Sequence, residues 1–138
     1  MTDWNSLRHA YGPAGDLPPI LEALTSDASA EAWSGLWSRV CHQGSVYSAS
    51  YPVLKVLLRI AAGARQKQRI DAISLAGAIA VGENADADHA AELMGYQVEL
   101  RELRAIALDG PWGEPLSEED VVVLAEAALA LGGDRIWG

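Results

Sequence analysis

Three histidines, one cysteine and several serines are the residues of this sequence that could take part in catalysis or metal binding. Cys41 and His42 are neighbours, so on a helix their side chains point about 100° apart and cannot act together as nucleophile and base. Cys41 falls on an apolar stripe, which favours a small core residue. His42-Gln43-Gly44 favours the fastening of a chain corner, because imidazole and amide groups can bind open carbonyls at a helix end; a ligand contact is the alternative.

No spacing of these residues is typical of a metal site, because neither H-x-x-x-H nor C-x-x-C occurs. Asp86-x-Asp88-His89 resembles part of a ligand cluster, but carboxylates are equally typical of helix capping, which we favour. Ser45, Ser48 and Ser50 stand near Tyr47 without a surrounding G-x-S-x-G turn, and no glycine-rich nucleotide loop is present. The sequence therefore predicts no catalytic residues, no cofactor and no metal.

The elements that would position these residues read as helices. Helical spacing in the second quarter of the chain gives an apolar stripe formed by Trp33, Leu36, Trp37, Val40 and Cys41. Gly44 stands where a helix end needs positive φ, and Pro52 is acceptable in the first turn of a second helix. Residues 33–58 therefore predict an αα-hairpin around which the chain is organised.

Similar patterns predict a short leading helix carrying Trp4, Leu7, Arg8 and Tyr11, then six longer helices, with no segment that alternates as a strand does. The longer helices cover residues 18–24, 30–42, 52–62, 66–81, 86 or 88 to 108, and 117–131. The fifth allows a kink or break at Gly95 and Tyr96. Gly77 in mid-helix costs about 1 kcal/mol against alanine, which indicates close contact with another helix.

One helix motif recurs in the chain. Pro19-Ile20-Leu21-Glu22-Ala23-Leu24 matches Pro52-Val53-Leu54-Lys55-Val56-Leu57 at an offset of 33 residues. Such a period with two helices per unit favours an α-solenoid, although two amphipathic helices can also match by coincidence. We predict one all-α domain, a short right-handed solenoid of antiparallel helix hairpins: a leading segment 1–16, then helix pairs at 17–43, 46–84 and 86–132.

The net charge of −9 is unevenly spread, with +2 in residues 1–69 and −11 in residues 70–138. An acidic half repels phosphate backbones and attracts a basic protein, although it also serves solubility alone. No apolar run approaches the roughly 20 residues of a membrane span, and no signal peptide is recognisable. A single cysteine agrees with a reducing compartment, so we expect a cytoplasmic protein.

Three segments carry a family resemblance: Trp4-x-x-Leu7-x-His9-Ala10-Tyr11-Gly12, Leu36-Trp37-x-x-x-Cys41-His42-Gln43-Gly44 and Val46-Tyr47-Ser48-Ala49-Ser50-Tyr51-Pro52. Over residues 4–58 they resemble a bacterial family of HEAT-repeat-like proteins common in actinobacteria. The resemblance implies a stacked-helix scaffold that binds other macromolecules and carries no known catalytic set. The chain departs from the family in being short and in having Lys55 where a second proline is usual.

These observations predict a protein-binding module, in particular an immunity protein of a bacterial toxin system or a similar inhibitor with a basic partner. The candidate partner-binding residues are Trp112, Glu114, Glu118, Glu119, Asp120, Glu99 and Glu102. The candidate corner or ligand contacts are His42, Gln43, Tyr47 and Tyr51. For Trp4, Trp112 and Trp137 we favour a place in the core or between helices, and the alternative is an exposed indole that serves as a binding anchor.

Two other functions remain open at this stage. One is an enzyme such as a helical-repeat DNA glycosylase, whose basic strip would consist of Arg39, Lys55, Arg59, Arg65, Lys67 and Arg69. The acidic second half and the lack of a distinctive carboxylate count against it. The other is a pocket for a small ligand or peptide between helices, lined by Trp37, Tyr47 and Tyr51.

Overall fold

A computed structural model describes residues 2–26, 29–63 and 65–132. The described residues form seven α-helices: α1 (Leu17–Ala23), α2 (Ser29–Val40), α3 (Ser50–Ala61), α4 (Gln66–Ala80), α5 (His89–Met94), α6 (Gln97–Asp109) and α7 (Glu118–Gly132). Short 3-10 helices cover Trp4–Ser6 and Ala14–Asp16. The prediction of an all-α chain is confirmed, and Trp137 lies outside the described residues.

Helix α4 lies at the centre of the packing. It pairs with α3, and α6 pairs with α7; α3 also packs against α6, and α4 against α7. Helix α1 packs on α2, which reaches α4 through a smaller contact. The expected hairpin of α2 with α3 was wrong, because α2 packs along α1 instead and the segment between α2 and α3 forms turns of its own.

The segment between α2 and α3 contains a tight turn at residues 42–45. The backbones of His42 and Ser45 exchange two hydrogen bonds of 2.9 Å, and the two central residues, Gln43 (φ 52°) and Gly44 (φ 84°), both have positive φ. A two-residue turn of this kind is the type I′ geometry of a β-hairpin. Positive φ at Gly44 is confirmed, but it belongs to this turn rather than to the cap of a continuous helix.

The first residues form a β-ribbon where a helix was expected. Strand β1 (Arg8–His9) pairs antiparallel with β2 (Gly12–Pro13), and Gly12 at φ 130° allows the reversal. The amide of Ala10 donates to the carbonyl of Arg39 at the end of α2. The leading helix therefore ends at Ser6, because Gly12-Pro13 and contacts with α2 favour extended backbone.

Local signals placed several helix ends correctly. Pro52 lies in the first turn of α3, Asp88 caps α5 by accepting from the amide of Ala91, and Ser117 accepts from the amide of Asp120 at α7. The break allowed at Gly95 occurs, since α5 ends at Met94. Local hydrogen bonding therefore decides these boundaries.

The expectation for Gly77 is also confirmed. A Cβ atom built there would lie 3.0 Å from the Cα and 3.2 Å from the Cβ of Ala127 in α7. Only a residue without a side chain lets α4 and α7 approach this closely.

Candidate partner-binding face

Helix α7 is apolar on the side that faces the core and also on the side that faces solvent. Its buried residues pack against α4 and α6; they are Leu124, Ala127, Ala128, Ala130 and Leu131. On the opposite side Val121 is 51% exposed, Val122 54% and Leu129 74%, with exposed Ala125 between them. Four carboxylates are the acidic residues of α7, at Glu118, Glu119, Asp120 and Glu126, and its outward side otherwise presents apolar side chains that no other described element covers.

Helix α6 extends the same surface. Its exposed side carries Val98 and Leu108, both more than half exposed, and between them Arg101 and Ala105 at helical spacing. We define the outer face as this surface of α6 and α7 together: Val98, Arg101, Ala105, Leu108, Val121, Val122, Ala125 and Leu129. Its residues follow one another at helical spacing on two helices that pack together, and the exposed carboxylate of Glu118 lies between Val121 and Val122 by helical position.

Two arginines lie along the junction of the two helices. The Arg104 side chain runs against Gly132 of α7, where an added Cβ would lie 2.9 Å from its Nε. A cavity of about 420 Å³ opens at this junction, lined by Gln97, Leu100, Arg101, Arg104, Leu131 and Gly132. Among the described residues, neither Arg101 nor Arg104 forms an ion pair, so their charges are available to a partner.

Carboxylates border the outer face on both sides. By helical position, Glu102 and Asp109 lie on the edge of α6 away from α7, and both are exposed. Glu119 and Glu126 lie on the edge of α7 away from α6; Glu126 also lines a cavity over α4. The surface thus has an apolar centre containing two cations, and a rim of negative charge.

The structure divides the seven nominated partner-binding residues among different surfaces. Glu118, Glu119 and Glu102 lie at the outer face or its rim. Glu99 instead lines a groove of about 890 Å³ between α1, α3 and α6, together with Lys55 and Arg59. The sequence missed this division, because angular position around a helix has no meaning until the neighbouring helices are placed.

Glu114 and Asp120 line a third surface, a cavity of about 720 Å³ beside the start of α4 that also contains Arg65 and Lys67. Asp71 on its wall has a raised pKa: burial raises it, the carboxylate of Asp120 raises it further, and Lys67, 3.7 Å away, opposes both. Mixed charge makes this surface neither a basic strip nor an acidic one.

Trp112 is held in place rather than exposed as an anchor. The guanidinium of Arg69 lies 4.9 Å from the centre of its ring, within cation–π range. Arg69 is only 8% exposed; its Nε donates to the carbonyl of Ala61 at 2.8 Å and its Nη1 to that of Pro111 at 2.6 Å. The place given to Arg69 in a basic surface strip was wrong, since neighbouring helices and the loop after α6 surround it.

The corner residues do not converge on a common cavity among the described residues. Tyr51 is buried, donates to Nδ1 of His89 at 2.8 Å and accepts from the Asn84 amide at 3.1 Å. The Nε2 of His89 donates to the carbonyl of Ala80, so both ring nitrogens are engaged. Burial raises the pKa of Tyr51, with nearby carboxylates acting in the same direction. The network fastens α3 to α5.

The other nominated corner residues lie apart from Tyr51. His42 is half-buried with its Nδ1 3.4 Å from the Tyr11 hydroxyl, Gln43 is exposed in the turn, and Tyr47 is half-buried at the corner. Trp37 lines a different cavity, of about 240 Å³, with residues of α4 and α7. A pocket shared by Trp37, Tyr47 and Tyr51 is not formed by the part of the chain that the structure describes.

The sequence analysis missed one cluster of ionisable side chains. His9, which is buried, lies 2.7 Å from Asp16 through Nε2, and Arg39 donates to the other oxygen of Asp16 at 3.1 Å. Nδ1 of His9 accepts from the Tyr11 amide, so neither ring nitrogen is left for a substrate. Burial alone would raise the pKa of Asp16, but hydrogen bonds from His9 and Arg39 outweigh it and hold that pKa below 3.8.

Neither a metal-binding group of side chains nor a membrane-spanning helix is found among the described residues. No three or more His, Cys, Asp or Glu side chains are gathered closely enough to hold a metal ion. Across residues 2–26, 29–63 and 65–132, no helix combines the length and the apolar composition that crossing a membrane requires. Comparisons with models of known protein families, with curated proteins and with solved structures found no match.

Proposed function

We propose that this chain is a non-catalytic protein-binding module whose outer face holds a protein with a basic surface. One observation carries the proposal: α7 presents Val121, Val122 and Leu129 to solvent on the outer face. Exposed apolar patches rimmed by polar residues mark interaction sites in proteins. An inhibitor of the immunity-protein type, bound to a cationic toxin, is the form of this function that the charge favours.

The rim and the centre have different roles in this proposal. Glu102, Glu119 and Glu126 attract a cationic partner over distance, which speeds association and selects the partner. The apolar centre supplies the free energy of binding through area removed from water. Partner affinity should therefore depend on salt through the rim and on shape through the centre.

The HEAT-like solenoid is part of the same proposal. The stacking of α6 on α3 and of α7 on α4 supports it, because successive helix pairs of a solenoid contact one another in this way. The outer face is then the end of the stack, where a further layer would lie.

Binding to the product of a neighbouring gene, measured by calorimetry at several salt concentrations, tests this function. The expected result is an affinity that falls as salt rises, and that falls at least tenfold in Leu129→Glu. Tyr11→Glu is the matched control, because the substitution adds the same charge. Tyr11 is also exposed but lies in the N-terminal ribbon. A partner that binds the wild type and Leu129→Glu equally would remove the outer face from the proposal.

No observation favours the nucleic-acid enzyme in the same way. Of the six cations of its basic strip, Arg39 is paired with Asp16 and Arg69 is buried. The others lie around two cavities that also hold carboxylates: Lys55 and Arg59 in one, Arg65 and Lys67 in the other. Phosphate groups would meet those carboxylates as well as the cations.

A further inference from the structure

We propose that the partner of the outer face is an amphipathic α-helix that lies along the junction of α6 and α7, with basic residues on both of its edges and a carboxylate within its apolar side. The inference rests on the proposed function and specifies what the outer face recognises. It combines three properties of that surface: its shape, its rim and its central arginines.

The shape follows from the packing inside the molecule. Helices α6 and α7 lie side by side and themselves cover the pair formed by α3 and α4. The junction of two packed helices is a shallow groove, and an amphipathic helix fills such a groove with residues at i, i+3, i+4 and i+7. Helix α7 exposes its stripe from Val121 to Leu129, about 12 Å of helix axis, so a partner helix of about three turns spans it.

The rim determines the edges of the partner helix. Carboxylates border the groove on both sides, with Glu102 and Asp109 along α6 and Glu119 and Glu126 along α7. A helix in the groove therefore has carboxylates along both of its edges. Lysine or arginine on both edges, with their aliphatic stems over Val98 and Val122, satisfies this arrangement.

The arginines determine the centre. Arg101 and Arg104 lie at the junction and line its cavity of about 420 Å³, so they would be covered by anything that binds there. A covered guanidinium needs an acceptor, and a carboxylate engages it best. One Glu or Asp within the apolar side of the partner helix supplies that acceptor.

A second copy of the chain fits the same surface less well. Two outer faces brought together place acidic rims against acidic rims. Like charges facing one another across an interface cost binding free energy. Charge complementarity thus favours a basic helix of another protein over self-association.

The test uses three synthetic 14-residue helical peptides as probes. The first has a leucine and alanine side, lysines on both edges and one central Glu; the second replaces that Glu with Gln; the third replaces the edge lysines with Glu. Fluorescence anisotropy should show the first binding most tightly, the second several-fold more weakly, and the third not at all. Circular dichroism should show helix formation on binding.

Variants separate docking from general attraction between a cationic peptide and an acidic protein. Leu129→Glu makes the protein more negative, so simple attraction would strengthen binding, whereas docking in the groove predicts a loss of tenfold or more. Tyr11→Glu adds the same charge elsewhere and should bind as the wild type does. Arg101→Gln with Arg104→Gln should abolish the preference for the central Glu, measured as the ratio of the affinities of the first and second peptides for the same variant, because the added negative charge acts on both peptides alike.

Several outcomes would overturn the inference. They are tighter binding by Leu129→Glu, an unchanged preference for the central Glu in the double arginine variant, and sedimentation showing a wild-type dimer that Leu129→Glu dissociates. If no peptide binds but a protein partner still loses affinity in Leu129→Glu, the helix is wrong and the proposed function stands. If neither probe responds to Leu129→Glu, both fail. Thermal unfolding of each variant shows that it remains folded.

Discussion

Helices α4 and α7 have the same length, 15 residues, but differ in how far neighbouring elements enclose them. Helix α4 carries Gln68 and Arg69 and buries both, because helices and a loop surround it. Helix α7 carries valines and leucines on every side and leaves one side open. Burial in this molecule is therefore decided by the number of neighbours around a helix, and only in part by the polarity of its residues.

The contrast explains why α4 has buried polar side chains and α7 has exposed apolar ones. In α4 the buried guanidinium of Arg69 is satisfied by two carbonyls, those of Ala61 and of Pro111. In α7 the exposed apolar groups remain in water, which is unfavourable unless another surface covers them. The first arrangement stabilises the fold, and the second is the basis of the proposed binding function.

The largest expected effect compares one residue type in the two helices. Leu75→Ala in α4 should lower the free energy of unfolding by about 2–5 kcal/mol, because Leu75 is fully buried and the change leaves a cavity. Leu129→Ala in α7 should change it by less than about 0.5 kcal/mol. Urea unfolding followed by circular dichroism measures both. Equal losses would show that Leu129 is already covered within the folded chain.

The second largest effect is expected for Arg69→Ala, which should lower the free energy of unfolding by about 2 kcal/mol. The change leaves the carbonyls of Ala61 and Pro111 without this donor and removes the cation from the ring of Trp112. Arg101→Ala, on the outer face, is the matched control and should be nearly neutral. Urea unfolding followed by circular dichroism measures both changes. An Arg69 variant as stable as the control would mean that the buried guanidinium contributes no net stability.

Gly77→Ala tests the close approach of α4 to α7. The new methyl group gains helix propensity of about 1 kcal/mol but must displace the backbone of Ala127, which costs about 1–3 kcal/mol. The expected net loss is about 1 kcal/mol in urea unfolding. Gly95→Ala, whose added Cβ meets only ordinary contact, should be neutral or stabilising. A stabilised Gly77 variant would show that the two helices can separate without cost.

The smallest effects concern two carboxyl groups whose pKa values shift in opposite directions. The pKa of Asp16 is lowered, so its contribution to stability is present above pH 3.8 and is lost as pH falls through the lower value. The pKa of Asp71 in α4 is raised, so folding favours its neutral form and the protein gains from that group as pH falls toward 3.8.

Unfolding curves from pH 7 to pH 3 for Asp16→Asn and Asp71→Asn distinguish the two. At pH 7, Asp16→Asn should be less stable than the wild type and Asp71→Asn more stable. The difference for Asp71→Asn should close at a higher pH than the difference for Asp16→Asn. Differences of the same sign at pH 7 would contradict the opposite shifts.

Local pattern was sufficient for most of the helices and their ends. Pro52, Asp88 and Ser117 act within one helical turn, so their effects can be derived without knowing any neighbour. The ribbon at β1 and β2 could not be derived in this way, because its strands are held partly by the end of α2. The same holds for the turn at His42 and Ser45, where two central residues of positive φ replace the expected helix corner.

Part of the candidate site could likewise be predicted from the sequence, and part of it could not. The sequence correctly identified an acidic second half, and it placed Glu118, Glu119 and Glu102 among the candidates. It could not separate them from Glu99, Glu114 and Asp120, which lie on other surfaces. Nor could it identify Val122, Leu129, Arg101 and Arg104, because a helix such as α7 shows no polar side from which to read its orientation.

What the sequence determined by itself is the set of helices, the positions where several of them begin and the close contact at Gly77, since these depend on neighbours along the chain. Only the tertiary structure decided that α4 would be enclosed, that Arg69 would be buried and that one apolar side of α7 would remain open. The physical reason is that the side a helix buries depends on which helices lie beside it. Those neighbours come from distant parts of the chain.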